Sequence, residues 1–123
     1  MGLIGVTIVY GNNFVEFTFH DAKRVVEVLE RNVPVFKGAA SRRNLGTVNE
    51  AVKFIIEASR EYGKIQILAT GPLTNIAKAT LVDGELVDRV ERIVIMGGVF
   101  HSHDVIEAVY LLRNDLYSAK KLK

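Results

Sequence analysis

Ala69-Thr70-Gly71-Pro72-Leu73-Thr74-Asn75-Ile76-Ala77, with Ile93-Val94-Ile95-Met96-Gly97-Gly98 downstream, decides the fold of this chain. An apolar strand runs into a small-residue turn, a helix opens with proline in its first turn, and the next apolar strand ends on paired glycines. In a parallel α/β sheet, ligands sit beyond the carboxyl ends of the strands. There glycines allow close backbone approach, and helix starts present unpaired N–H groups. Both segments carry their unusual residues at that end.

Working outward, strands alternate with helices, and no repeat, linker or low-complexity tract intervenes. Residues 3–9 are an apolar, β-branched run closed by Gly11-Asn12-Asn13, a strand and turn. Ala22, Val25, Val26 and Leu29 recur at helical spacing, which predicts an amphipathic helix over residues 15–31. A short strand is expected over residues 33–36, ending at Gly38. Thr47-Val48-Asn49-Glu50 has the form of a capping box, and Val52, Ile55, Ile56 and Tyr62 supply the stripe of a second helix that ends near Gly63. A strand over 65–69, a helix over 72–80 and a strand over 93–96 follow. The last segment has Val105, Val109, Leu112, Leu116 and Ala119 on one stripe, a further helix that Asp104 can cap. Each crossover holds a helix, so the strands pair in parallel. The expected fold is α/β: three layers, a mainly parallel sheet of about four strands, and helices on its faces, in the Rossmann-like manner.

Length and composition bound the function. A chain of 123 residues with 49% hydrophobic content buries one core, so residues 1–123 are read as a single domain. The 16 basic and 14 acidic residues are mixed along the chain and leave a net charge of +2, which argues against a nucleic-acid partner. No apolar run reaches the roughly 18 residues that span a bilayer, so no membrane role is expected and a cytoplasmic location is. With no cysteine, disulfides, thiolate metal sites and cysteine nucleophiles are excluded. No serine has a nucleophile-elbow context, and the histidines have no identifiable nucleophile partner.

Four loops gather at the strand ends: residues 10–13, 37–43, 70–72 and 96–104. The segments Leu3-Ile4-Gly5-Val6-Thr7-Ile8-Val9-Tyr10-Gly11-Asn12, Val33-Pro34-Val35-Phe36-Lys37-Gly38-Ala39, residues 69–77 and residues 93–98 resemble, in that order, the inosine-uridine-preferring nucleoside hydrolases. The resemblance covers residues 3–119 and an interior portion of a full-length member. It implies a nucleoside hydrolase-like core and, for the family, cleavage of the N-glycosidic bond of a ribonucleoside with a calcium ion that acidifies the attacking water. By resemblance, the backbone carbonyl of Thr70 is a vestigial metal ligand. Asn12 matches a residue that contacts the ribose, Met96 a pocket residue, and Asp104 the position of a ribose-binding asparagine.

The departures from the family pattern concern its chemistry. The aspartate-rich segment that precedes the first block is not in this sequence, and neither is the C-terminal part that carries the last aspartate. The stretch between Ala40 and Ala51 is shorter than the family norm. Val109 and Leu111, or Tyr110 and Leu112 in an ungapped alignment, stand where a glutamate and an asparagine are expected. The expectation is therefore a truncated, divergent chain with no catalytic residue, no cofactor of its own, and no hydrolysis alone. Its expected partners are a nucleoside or ribose-like ligand and further copies of itself. Self-association is expected through the 105–122 helix or the edge of the 3–9 strand, because a chain cut back in this way exposes apolar surface. The other readings left open are a non-catalytic small-ligand module and a structural, oligomeric remnant. His101-Ser102-His103-Asp104 and Arg42-Arg43 read as solvated loop residues, since neither pattern fixes a geometry.

Overall fold

The computed structural model describes residues 2–96. Its elements are β1 (Val6–Ile8), α1 (Val15–Val28), β2 (Val35–Lys37), a 3-10 turn (Arg42–Gly46), α2 (Glu50–Tyr62), β3 (Ile65–Ala69), α3 (Thr74–Val82), α4 (Leu86–Arg89) and β4 (Val90–Ile95). The class is α/β and both strand pairings are parallel: β1 with β2, Val6 opposite Val35, and β3 with β4, Ile67 opposite Ile93. A helix lies in each crossover, as parallel neighbours require. Among the described residues the four strands form two ladders of two instead of one continuous ladder. Helix α1 packs on β1 and β2, while α2 packs on β2, β3 and α3 and so spans both pairs.

The core lies between α2, α3 and the inner face of β3–β4. Val52, Ile55 and Ile56 of α2 meet Leu73, Ile76, Ala77 and Ala79, with Leu86 of α4 closing one end and Ile67, Val90 and Ile93 packed alongside. Helix α2 ends where expected: Gly63 takes φ 72°, and its N–H donates to the Ser59 carbonyl at 3.1 Å. Its start differs from the sequence reading. Asn49, not Thr47, is the N-cap, and its side-chain oxygen accepts from the Val52 N–H at 3.0 Å. The reciprocal capping box belongs to the 3-10 turn, where Ser41 and Asn44 bond each other's backbone. Helix α3 begins at Thr74, so Pro72 precedes the helix instead of lying in its first turn. Val25, Leu29 and Tyr62, expected on inward stripes, are exposed. The 105–122 helix, and with it the interface expected there, lies outside the described residues. Among the described residues no helix is long and apolar enough to cross a membrane.

One ion cluster ties α2, α3 and α4 together. Asp83, the C-cap of α3, bonds both Arg89 and Arg60, and the Arg89 Nε donates to the Ser59 Oγ at 3.0 Å. Burial works to raise the Asp83 carboxyl, but the hydrogen bonds and charge of Arg89, then of Arg60, outweigh it and hold it below its ordinary value. A carboxylate depressed in the folded state adds stability above its unfolded pKa and loses that contribution as pH falls through the folded value. Asp83→Asn should cost roughly 2 kcal/mol at neutral pH, less than a fully buried pair because Arg60 is largely solvated. Urea unfolding of both proteins checks this: the gap between them should narrow below about pH 4 and close once wild-type Asp83 is protonated in both states.

Candidate functional site

The site grows from the loops that leave β1, β3 and β4. After β1 the chain turns through Tyr10, Gly11, Asn12 and Asn13, and the Asn13 Oδ1 accepts from the Phe14 N–H at 2.8 Å, where α1 begins. Asn13 is thus used within its own turn. Asn12 is exposed, and its side chain makes no hydrogen bond to the other described residues. After β3, Thr70 is exposed and Gly71 passes so close to β1 that a Cβ there would lie 3.1 Å from the Val9 Cγ1. Pro72 approaches Gly11, whose Cβ would stand 3.8 Å from its Cδ. The Thr74 hydroxyl donates to the Tyr10 hydroxyl at 3.1 Å and joins the two loops directly. Met96 follows β4; its N–H donates to the Ala69 carbonyl at 2.8 Å, and its side chain is exposed.

The positions of Asn12, Thr70 and Met96 at the carboxyl ends of their strands therefore agree with the sequence reading. Asp104 lies outside the described residues, as do Gly97, Gly98 and the histidines of residues 101–103. The sequence reading missed Tyr10 and Asn75. Asn75, buried in the first turn of α3, accepts from the Ala39 N–H at 2.9 Å and donates to the Ile8 carbonyl at 3.0 Å. It clamps the exit of β2 to the end of β1. A signal for it exists in the sequence: an amide in the first turn of a helix that must bury Ile76 and Ala77 needs buried partners of its own. The loop after β2 is held in turn by the Asn44 Oδ1, which accepts from Ala40 at 2.9 Å and Ser41 at 3.0 Å.

Among the described residues the donor set falls short of what calcium takes. That ion takes about six to eight oxygens, usually with several carboxylates. Among the described residues no group of three or more His, Asp or Glu is placed to hold a metal. Glu16, in the first turn of α1, faces Lys37 at 3.4 Å. A Thr70 carbonyl contributes one oxygen, too few to hold the ion.

An α/β scaffold with parallel strands whose exit loops converge on exposed polar groups is a small-ligand fold. The sequence profile of the inosine-uridine preferring nucleoside hydrolases matches residues 1–114, and the chain belongs to that family. Uridine nucleosidase 1 of Arabidopsis thaliana is 30% identical over 81% of this chain and 38% of its own length. The pyrimidine-specific ribonucleoside hydrolase RihB of Escherichia coli O9:H4 (strain HS) is 32% identical over 80% of this chain and 40% of its own. A purine-preferring ribonucleoside hydrolase from Gardnerella vaginalis superposes with a TM-score of 0.71 at 31% identity, over 80% of this chain and 41% of that one. The plant nucleoside hydrolase PpNRh1 shares the fold, with a TM-score of 0.78 at 24% identity over 93% of this chain and 49% of its own. The chain thus spans less than half the length of each of these relatives.

The clamp at Asn75 leaves no room for a side chain at position 38. A Cβ on Gly38 would fall 2.2 Å from the Ile8 carbonyl oxygen and 2.3 and 2.5 Å from the Asn75 amide atoms. Backbone and a buried amide cannot both yield, so Gly38→Ala should destabilise by about 2–3 kcal/mol. Asn75→Ala strips the Ala39 N–H of its acceptor and should cost about the same, the price of an orphaned buried donor plus a small cavity. Chemical denaturation measures both effects. Amide exchange at Ala39 should accelerate in the Asn75 variant more than exchange in α2.

Proposed function

We propose that this chain carries the ribose-facing part of a ribonucleoside N-glycosidase fold, binds a nucleoside or ribose-like ligand, and does not cleave the glycosidic bond by itself. The observation that carries this reading is the Thr74–Tyr10 hydrogen bond, which draws the Asn12 and Thr70 loops together while leaving both residues exposed to a ligand. The names of the relatives support ribose as the recognised part. They include a uridine, a pyrimidine-specific and a purine-preferring enzyme, and the sugar is what those substrates share.

Bond cleavage asks for more than binding. The departing base leaves an oxocarbenium-like sugar, whose charge and attacking water need carboxylates or an activating metal, effects worth several kcal/mol. The loops around Asn12 and Thr70 offer amide, hydroxyl and backbone groups suited to sugar hydroxyls, but no paired carboxylates among the described residues. Calorimetry or ligand-observed NMR with inosine, uridine and free ribose tests the binding. All three should bind, and Asn12→Ala should weaken each by a similar factor of about three to ten, the worth of one polar contact. Base release from inosine and uridine in calcium-containing buffer should match the protein-free rate. Turnover by the purified chain would overturn the inactivity, and absence of binding would overturn the ligand assignment.

A further inference from the structure

Two hydroxyls share one hydrogen bond where the loops after β1 and β3 meet, and one proton is left over. The Thr74 Oγ1 and the Tyr10 phenolic oxygen lie 3.1 Å apart, and neither makes another side-chain hydrogen bond to the described residues. Each hydroxyl carries one proton and can also accept, so a single bond between them uses one of the two protons. Burial decides which. Thr74 is 6% exposed, whereas Tyr10 is half-buried. Were the phenol to donate, the threonine proton would be buried without an acceptor, a penalty that a rotating hydroxyl avoids. The threonine therefore donates, and the phenolic proton is left for a partner outside the described residues.

The phenol is also held in place. The Tyr10 N–H donates to the Ala39 carbonyl at 2.8 Å, and Gly11 stands against Pro72. Asn75, the residue after Thr74, donates to the Ile8 carbonyl at 3.0 Å. Tyr10 is thus tied to the exit of β2 through its backbone and to the start of α3 through its oxygen. A donor fixed before the ligand arrives keeps the ordering cost of binding low. Two residues along the same turn stands the exposed Asn12. A sugar hydroxyl both donates and accepts, so it can use an amide oxygen and a phenolic proton together. We infer that Tyr10 is a specificity-determining contact of the site: its O–H, oriented by Thr74, donates to one sugar hydroxyl of a bound nucleoside. This rests on the ligand proposed above and goes beyond it by assigning one donor to one hydroxyl. Thr74 is a positioning residue that acts through the phenol.

Calorimetry on the 123-residue chain, with inosine and its 2′-, 3′- and 5′-deoxy analogues, tests the assignment. Tyr10→Phe removes the hydroxyl and keeps the ring. It should weaken inosine by about three- to tenfold, the worth of one neutral hydrogen bond. For the one analogue that lacks the hydroxyl Tyr10 reaches, it should change nothing. Thr74→Val should weaken inosine by a smaller factor, and Thr74→Ser, which keeps the donor, should restore wild-type affinity. The chain has no tryptophan, so free ribose, which does not absorb, should shift the tyrosine absorption band, and Tyr10→Phe should abolish the shift. Circular dichroism verifies that each variant keeps its fold. Wild-type affinity in Tyr10→Phe, the result if water or residues beyond 96 take the proton, overturns the inference. So does an equal loss for all three analogues, which would make Tyr10 a structural residue only. If Asn12→Ala weakens binding in the same assay and Tyr10→Phe does not, the ligand proposed above stands and this assignment alone falls. A wild-type chain that binds no nucleoside overturns both.

Discussion

One buried amide, Asn75, ties the two halves of this fold together by hydrogen bonds. Among the described residues the β1–β2 and β3–β4 ladders are not joined by strand pairing, so their alignment falls to helix α2, which packs on both, and to side chains. Asn75 reaches from α3, which leaves β3 directly, to the Ile8 carbonyl and the Ala39 N–H. Only a group with an acceptor and a donor on one plane can satisfy both at once, which an amide does and a carboxylate or hydroxyl of similar size does less well. The bridge requires an uncrowded Gly38 beneath it, and the Thr74–Tyr10 bond repeats the attachment one residue away. No buried side-chain polar atom among the described residues is left without a partner. The polar seam is thus fully satisfied, the condition under which it rigidifies a core instead of weakening it.

That seam explains which parts of the chain could be read from sequence. Strand β3 is long, apolar and bounded by Gly63 and Gly71, so periodicity and breakers agree on residues 65–69. Strand β1 is only residues 6–8, because hydrogen bonding to β2 starts where the Val6 N–H meets the Pro34 carbonyl, a pairing no local pattern encodes. The capping signal at residues 47–50 contained the right kind of residue at the wrong place. Two oxygens, on Thr47 and Asn49, compete for one helix start, and Thr47 is already the C-cap of the 3-10 turn, its N–H donating to the Asn44 carbonyl. Hydrophobic spacing located α1 and α2, but it does not say how much of each helix meets a partner. Val25, Leu29 and Tyr62 belong to the stripes by sequence and to the surface in the fold.

The site divides along the same line. Glycine, proline and the apolar strands mark where loops converge, and Asn12, Thr70 and Met96 could be placed from them. Asn75 and Tyr10 act through partners far along the chain, Ala39 and Ile8 for one and Thr74 for the other, and that distance hides them from any reading of neighbours. What positions this site is therefore mostly backbone and buried amides, whereas what a glycosidase needs for bond cleavage is charge. The two are separable. A chain can hold the loops of a nucleoside hydrolase in place with residues that do no chemistry.

Helix α1 joins the loop geometry to the surface. Just ahead of its first turn the Asn13 Oδ1 accepts from the Phe14 N–H, next to Asn12, and the exposed apolar residues begin at Phe14. The Glu16–Lys37 contact extends that restraint to the end of β2. The turn that carries Asn12, the start of α1 and the end of β2 are thus neighbours linked by two polar contacts. A loop held in its binding conformation before the ligand arrives loses less entropy on binding.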